Sequence, residues 1–353
     1  MKKILPLFLA VVIVFTLAFI PKGDNLDAQT EKIVGSGASF PQPLYLEMFA
    51  NYDKAQVDYL GGGSGKGISD MLAKKTDFGG TDGYMVEEDF EGHNATNDDI
   101  LHVPSCIGAI AVSYNLTGVK LRMDGPLVAD IFLGKVTKWN DERIKELNPK
   151  KFLPNLDITV VHRSDRSGTS KNFTGYLSQI SEEWEEKVGT AKSVDWPTGQ
   201  GAQQNPGVAG LIKQIRGSIG YLSLDYALAN NIPVADLKNS SGNFITPSLE
   251  SASFAGDIED MPDDTKIYIT NSSASNGYPI STFTWLIFYK EQNYGGRSKE
   301  RAKATMELLW WMLHDGQKYA EKVNFAPIPK IALEKSEALL RSVTYDGEPL
   351  LNK

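Results

Sequence analysis

The stretch Ile158-Thr159-Val160-Val161-His162-Arg163-Ser164-Asp165-Arg166-Ser167-Gly168-Thr169-Ser170 reads as a strand that enters a serine- and glycine-rich corner and leaves it as a helix. Residues 158–162 are largely β-branched and apolar, as a strand requires. Phe173, Tyr176 and Leu177 follow at helical spacing, which predicts a helix from about Lys171. Such a corner gathers hydroxyls and unpaired backbone N–H groups at a helix N-terminus, where the orphan donors and the positive dipole end attract an anion. Two further corners have the same build. Gly35-Ser36-Gly37-Ala38-Ser39-Phe40 follows the short strand Ile33-Val34 and precedes a helix from about Pro43 with Leu44, Met48 and Tyr52 on one face. Gly61-Gly62-Gly63-Ser64-Gly65-Lys66-Gly67 follows a strand from Val57 to Leu60 and opens a helix expected over 67–75, with Ile68, Met71 and Leu72 inward. Three corners exceed what one helix cap needs and are enough to surround a small tetrahedral oxyanion.

The rest of the chain alternates in the same way. Asp77-Phe78-Gly79-Gly80-Thr81-Asp82 looks like a strand ending in an acidic turn, and Ile107 to Tyr114 an apolar strand able to cross between lobes. A short helix is expected over 127–133, with Trp139 behind it in a small satellite core. A helix and a glycine turn between Asn205 and Tyr221 lead to Ile219-Gly220-Tyr221-Leu222, and the polar segment 240–262 reads as loop and short helix. Thr282 to Tyr289 is a long apolar strand. A helix over 299–323 follows, with Met306, Leu309, Trp310 and Leu313 on one face and both Trp310 and Trp311 suited to burial, before Pro327 and Pro329 stop it. The alternation predicts an α/β fold with mostly parallel sheets. Ligands of such sheets lie beyond the strand C-termini, where the three corners and Asp82 all fall.

The 353 residues are 41% hydrophobic and 23% charged, a globular composition with length for about two domains. Lys2 and Lys3 precede an apolar run from Ile4 to Ile20, and Ala28 offers a small residue for cleavage, so residues 1–28 read as an export signal. An uncleaved N-terminal anchor is the alternative. Loss of three lysines (Lys2, Lys3, Lys22) and two aspartates (Asp24, Asp27) would leave the chain one unit more negative than the −8 of the full sequence. That balance weighs against nucleic acid as partner, and it does not oppose a buried anion site, which works by local donors. Cys106 is the only cysteine, so neither a disulfide framework nor a cysteine metal site is available, and the leader has no cysteine to carry a lipid. A free protein in the periplasm of a two-membraned bacterium is expected.

Several motifs have competing readings. Gly63-Ser64-Gly65-Lys66-Gly67 invites comparison with a phosphate-binding loop of nucleotide enzymes. The spacing fails, because the expected leading glycine is Leu60 and the hydroxyl due after Lys66 is Gly67. Ser64 then reads either as a plain N-cap or as a ligand donor. Ser167-Gly168-Thr169 offers the same choice, with Gly168 allowing close backbone approach. Arg163 supplies a forked donor that Asp165 can steady, or the two form an ordinary surface ion pair. Asp82 looks wrong for an anion site until the anion carries a proton. Hydrogen phosphate has a P–OH that needs an acceptor, whereas sulfate at neutral pH would meet Asp82 with only a lone pair and a like charge. The four histidines (His93, His102, His162, His314) are scattered and show neither triad order nor metal spacing.

Five ordered segments, Gly35 to Pro41, Gly63-Ser64, Asp77 to Asp82, Leu133-Gly134-Lys135-Val136-Thr137-Lys138-Trp139 and Arg163 to Ser170, together resemble the periplasmic phosphate-binding proteins of ABC-type phosphate importers. The resemblance implies a two-lobed α/β periplasmic binding protein fold, type II-like, with a ligand cleft between lobes. Residues 29–106 plus 283–353 would form one lobe and 107–282 the other. It implies that inorganic phosphate is held by hydrogen bonds alone. Ser39 would donate through hydroxyl and backbone, Phe40 through its backbone, and Ser64 through its hydroxyl. Asp82 would accept the phosphate proton, Arg163 would make a bidentate contact steadied by Asp165, and Ser167, Gly168 and Thr169 would close the second side. No cofactor or catalysis is implied, and the expected partners are phosphate and an ABC permease complex in the inner membrane, met by a monomer. Gly83 and Tyr84 stand where the family usually has a proline, and His162 where a second arginine often stands. An exported phosphate-ester hydrolase, or a phosphate-sensing or adhesion protein using the same cleft, are the alternatives.

Overall fold

A computed structural model describes residues 32–351; the expected signal cleavage after Ala28 lies outside them. The strands of the two larger sheets in chain order are β1 (Lys32–Gly37), β2 (Gln56–Gly61), β3 (Phe78–Thr81), β4 (Ile100–Tyr114), β5 (Arg122–Met123), β6 (Thr159–Arg163), β7 (Gln200–Ala202), β8 (Ser218–Ser223), β9 (Asp236–Lys238), β10 (Phe244–Ile245) and β11 (Ser281–Tyr289), and a short hairpin pairs Thr344–Tyr345 with Glu348–Pro349. Eight of them form a curled sheet in the order β2-β1-β3-β11-β4-β8-β6-β7, and β10-β9-β5 make a small separate sheet. Helices cover this sheet, giving the two-lobed α/β fold expected from the sequence.

The expectation of mostly parallel sheets needs correction. β1 pairs parallel with β2 and β3, and β6 parallel with β7 and β8, but the three central pairings, β3–β11, β11–β4 and β4–β8, are antiparallel. The cause is the crossing itself. β4 lies against β11 from Ile100 to Ala109 and against β8 from Ile110 to Tyr114. A chain that goes out along β4 and comes back along β11 must run the two in opposite directions. Both strands are buried almost throughout, so they read as near-continuous apolar runs.

Three helix boundaries also differ from the sequence reading. The second corner's helix spans Ser64–Leu72, about one turn earlier than expected, because Gly63 takes the N-cap position. The third corner's helix spans Gly168–Ile180, capped by Ser167. The helix expected over 299–323 spans Lys299–Leu313 and continues only as two 3-10 turns, Asp315–Tyr319 and Glu321–Val323, before a last helix, Lys330–Arg341. His314 leaves the helical region at φ −113°, ψ −96°, and Gly316 follows it. Met306, Leu309 and Leu313 are buried as expected, but Trp310 and Trp311 are only half-buried, Trp310 stacked on His314 and Trp311 in tilted contact with Tyr52. Trp139 belongs to the principal core rather than a satellite, with its indole N–H donating to the Gly217 carbonyl at 2.9 Å. That core runs continuously from Ile33 and Phe40 through β4 to Phe173 and Tyr221, and so underlies the strands that carry all three corners. Burying each large apolar side chain contributes about 1.5–3 kcal/mol to the stability of the fold.

Candidate functional site

All three corners end at one place, where the two halves of the sheet face each other. Ser39, Ser64, Asp82, Arg163, Ser167 and Thr169 are each at most 3% exposed. Burial of this many polar groups is tolerable only if they bond to one another or to a guest.

Ser64 does not cap its helix. Its Oγ instead accepts the backbone N–H of Asp82 at 3.2 Å and that of Gly168, from the opposite half, at 3.0 Å. Ser39 is treated the same way from the other side: its Oγ accepts the Asn205 backbone N–H at 3.1 Å and the Asn205 side-chain amide at 3.2 Å. A hydroxyl has two acceptor lone pairs and one proton. With both lone pairs engaged, each serine has its O–H left to donate. The Phe40 ring is fully buried edge-on to Phe325 at 5.5 Å, which anchors the chain next to Ser39. Lys66 pairs with Asp70, a turn further along its own helix, at 2.6 Å.

Arg163 closes β6, and its guanidinium is held in a fork by Asp165, Nε to Oδ1 at 2.7 Å and Nη2 to Oδ2 at 2.5 Å. The Arg163 side chain is 1% exposed, so the surface-pair reading is wrong. Asp165 also accepts the Gln204 backbone N–H at 3.0 Å. Burial pushes the Asp165 carboxyl up, but the hydrogen bond and charge of Arg163 outweigh it and hold the group below its ordinary range. The remaining Arg163 nitrogen, Nη1, reaches Thr169 Oγ1 at 3.3 Å. Ser167 Oγ accepts the Ser170 N–H at 3.1 Å, so the capping reading describes its hydroxyl. A Cβ on Gly168 would lie 2.5 Å from Ser64 Oγ and 2.7 Å from the Asp82 nitrogen, so only glycine lets the halves meet there.

Asp82 follows β3 directly. Oδ1 accepts the Thr284 hydroxyl at 3.0 Å and Oδ2 the Thr169 hydroxyl at 3.2 Å. Burial pushes this carboxyl up to about 6, against the pull of the Thr284 bond, the Arg163 charge and the Thr169 bond. The Asp82 carbonyl accepts from the Asn172 amide at 2.5 Å, a further tie between the halves. Asn172, Asn205 and Thr284 escaped the sequence reading. Asn205 sits two residues into the helix Gln204–Gln214, with its Oδ1 accepting the Ser223 N–H at 2.9 Å. The available signals were an asparagine just before Pro206 at a helix start, and the threonines of an otherwise apolar strand.

The two unusual positions are both accounted for. Thr81 Oγ1 donates to the Gly83 carbonyl at 2.6 Å, and the Tyr84 ring stacks on Tyr268 at 4.5 Å, fixing the loop without a proline. The His162 ring stacks on Trp196 at 4.9 Å, its burial lowering its pKa, while Nδ1 lies 3.1 Å from the Arg163 carbonyl. At the rim, Asp89 binds Arg166 at 2.6 Å and Lys192 at 2.7 Å, and the Gly65 N–H donates to the Arg166 carbonyl at 2.9 Å. Among the described residues, no helix is long and apolar enough to cross a membrane, and no group of three or more His, Cys, Asp or Glu is placed to hold a metal ion.

Residues 24–315 match the family model of the PBP superfamily domain. The phosphate-binding protein PstS of Xylella fastidiosa is 39% identical over 315 residues, covering 87% of this chain and 84% of that one. The phosphate-binding protein PstS of Pasteurella multocida is 37% identical over 335 residues, covering 92% and 95% respectively. Among solved structures, a high affinity periplasmic phosphate-binding protein (PfluDING) bound with phosphate has the same fold, with a TM-score of 0.68 at 21% identity over 87% of this chain and 93% of that one. Superfamily match, sequence identity over nearly the full length and shared two-lobed architecture agree: the chain belongs to the PBP superfamily and, within it, to the family of phosphate-binding proteins PstS.

Proposed function

We propose that this protein captures inorganic phosphate between its lobes and passes it to an ABC-type phosphate import permease, acting as an exported periplasmic monomer without catalysis. The observation that carries the reading is the convergence of Ser39, Ser64, Asp82, Arg163, Gly168 and Thr169 on one buried point, with both serine hydroxyls left to donate. In the bound state Ser39, Phe40, Ser64 and Thr169 donate to phosphate oxygens, and the Gly168 N–H turns to them from Ser64 Oγ. Ser167 supports this side by capping the helix whose N-terminus faces the anion. Arg163, kept rigid by Asp165, supplies the charge. Asp82 Oδ2 takes the P–OH, and Thr169 turns from Asp82 to the ligand. A fully deprotonated tetrahedral anion would meet that carboxylate with repulsion, which is the basis of selectivity.

The lobes in this reading are residues 29–106 with 283–353 and residues 107–282. The handover of β4 from β11 to β8 supports this division. Residues 1–28 are the cleaved export signal. Closure of the lobes presents the loaded form to the permease. Isothermal titration of phosphate-stripped protein tests the reading. Phosphate is expected to bind at least about a hundredfold more tightly than sulfate, the scale set by one mismatched buried polar group. Equal affinities would reject it.

A further inference from the structure

Thr284 lies on β11, opposite the place where β3 ends. The antiparallel register Ile287↔Gly79, Leu286↔Gly80, Trp285↔Thr81 ends one residue short of Thr284 on β11 and of Asp82 after β3. The Thr284 side chain is fully buried, and its hydroxyl donates to Asp82 Oδ1 at 3.0 Å. On its other edge β11 changes register at this residue: Thr284 faces Cys106, but Trp285 faces Pro104, leaving Ser105 as the extra residue of a bulge in β4. Proline donates no ladder hydrogen bond and favours such a site. Ser105 Oγ donates to the Thr284 carbonyl at 3.2 Å and lies 2.8 Å from the Tyr45 hydroxyl, so the bulge is pinned. Bulges beside functional sites commonly re-aim a side chain.

We propose that Thr284 is a positioning residue for anion selectivity: its hydroxyl ties down Asp82 Oδ1, so that Oδ2 alone faces the ligand as an ionised acceptor. This inference rests on phosphate being the ligand. It assigns to the β4 bulge and β11 a part in discrimination, although neither belongs to a glycine corner. Removing the Thr284 hydroxyl takes a hydrogen bond from the charged form of Asp82, which favours its protonation. A protonated Asp82 donates instead of accepting, and sulfate then fits. Other titratable or charged groups surround Asp82: Arg163 and Asp165 across the cleft, Tyr45 and Tyr59 beneath, Cys106 on β4, and Asp225 and Tyr226 on the helix Leu224–Ala229. Burial pushes Asp225 to about 7, so its titration overlaps that of Asp82, but it is common to wild type and variant.

The test is titration of stripped wild type, Thr284→Val, Thr284→Ala and Thr284→Ser with phosphate and with sulfate from pH 5 to 8.5. Comparing variants at each pH cancels the ionisation of phosphate itself. The Val and Ala variants should lose at least about tenfold in the phosphate-to-sulfate affinity ratio at pH 7, with the midpoint of that ratio's pH dependence moved upward, while Ser restores both. A ratio and midpoint matching wild type in whichever of Val or Ala folds would overturn the role given to Thr284 and leave the phosphate reading intact. A wild type that does not discriminate at all would remove that reading, and this inference with it.

Discussion

Burial strips the Asp82 carboxylate of water, and the hydroxyls of Thr169 and Thr284 replace only part of that solvation. Its carboxyl is raised from 3.8 to about 6, so the folded chain holds this proton more tightly than the unfolded one. The resulting stability is complete below about pH 4 and is lost as pH rises through about 6. Asp82→Asn removes the ionisation. The variant should therefore unfold with up to about 3 kcal/mol more stability than wild type at pH 7.5, and the difference should vanish at pH 4. Denaturant melts of ligand-free protein at the two pH values check this, and a variant no more stable at pH 7.5 would contradict it. Arg163→Ala should weaken phosphate binding by about 1.5–3 kcal/mol in a calorimetric titration, because a charge-assisted donor is lost and Asp165 is left without its partner. Asp82 and Arg163 were legible in the sequence because each ends a strand beside a glycine corner. Thr284 and Asn205 were not, because their importance comes from strands and helices more than a hundred residues from the groups they touch.

At the scale of elements, closure depends on how near the helix Ser64–Leu72 comes to the third corner. A Cβ on Gly65 would lie 2.4 Å from the Arg166 Cβ and 3.2 Å from its carbonyl oxygen. Gly65 is helical, so Gly65→Ala should leave the open protein as stable as wild type, or more stable by about 0.5–1 kcal/mol. Phosphate affinity should nevertheless fall by more than about tenfold, since the lobes can no longer meet. Wild-type affinity together with an unchanged closed shape in small-angle scattering would sink this account of the glycine. The sequence revealed the corners and strands well, since glycine and hydroxyl runs between β-branched stretches have few other uses. It misplaced the ends of helices, where a single residue's backbone decides: Gly63 starts one helix early and His314 stops another short. The antiparallel centre of the sheet was also out of reach, because strand direction follows from where a chain returns, not from local pattern.

For the whole molecule, the rim carries a latch. Asp89 is almost fully buried between Lys192 and Arg166, which come from the other side of the cleft, and the charge of Lys192 helps to hold it below the usual carboxylate range despite burial. Asp89→Asn leaves both cations uncompensated in the closed form, so stopped-flow measurements should show phosphate release faster by about tenfold or more. The phosphate-to-sulfate ratio should not change, because Asp89 makes none of the site's hydrogen bonds; a lowered ratio would mean that the rim also selects. The two-lobed architecture itself was anticipated through the five ordered segments shared with the family, more than through any periodicity. The central claim is that one carboxylate, set among converging donors, reads whether the anion carries a proton. It is tested most directly by titrating phosphate-stripped wild type and Asp82→Asn with phosphate and with sulfate at pH 7.5. The expected result is a strong phosphate preference in wild type that collapses by at least about a hundredfold in the variant, and an undiminished preference in Asp82→Asn would contradict it.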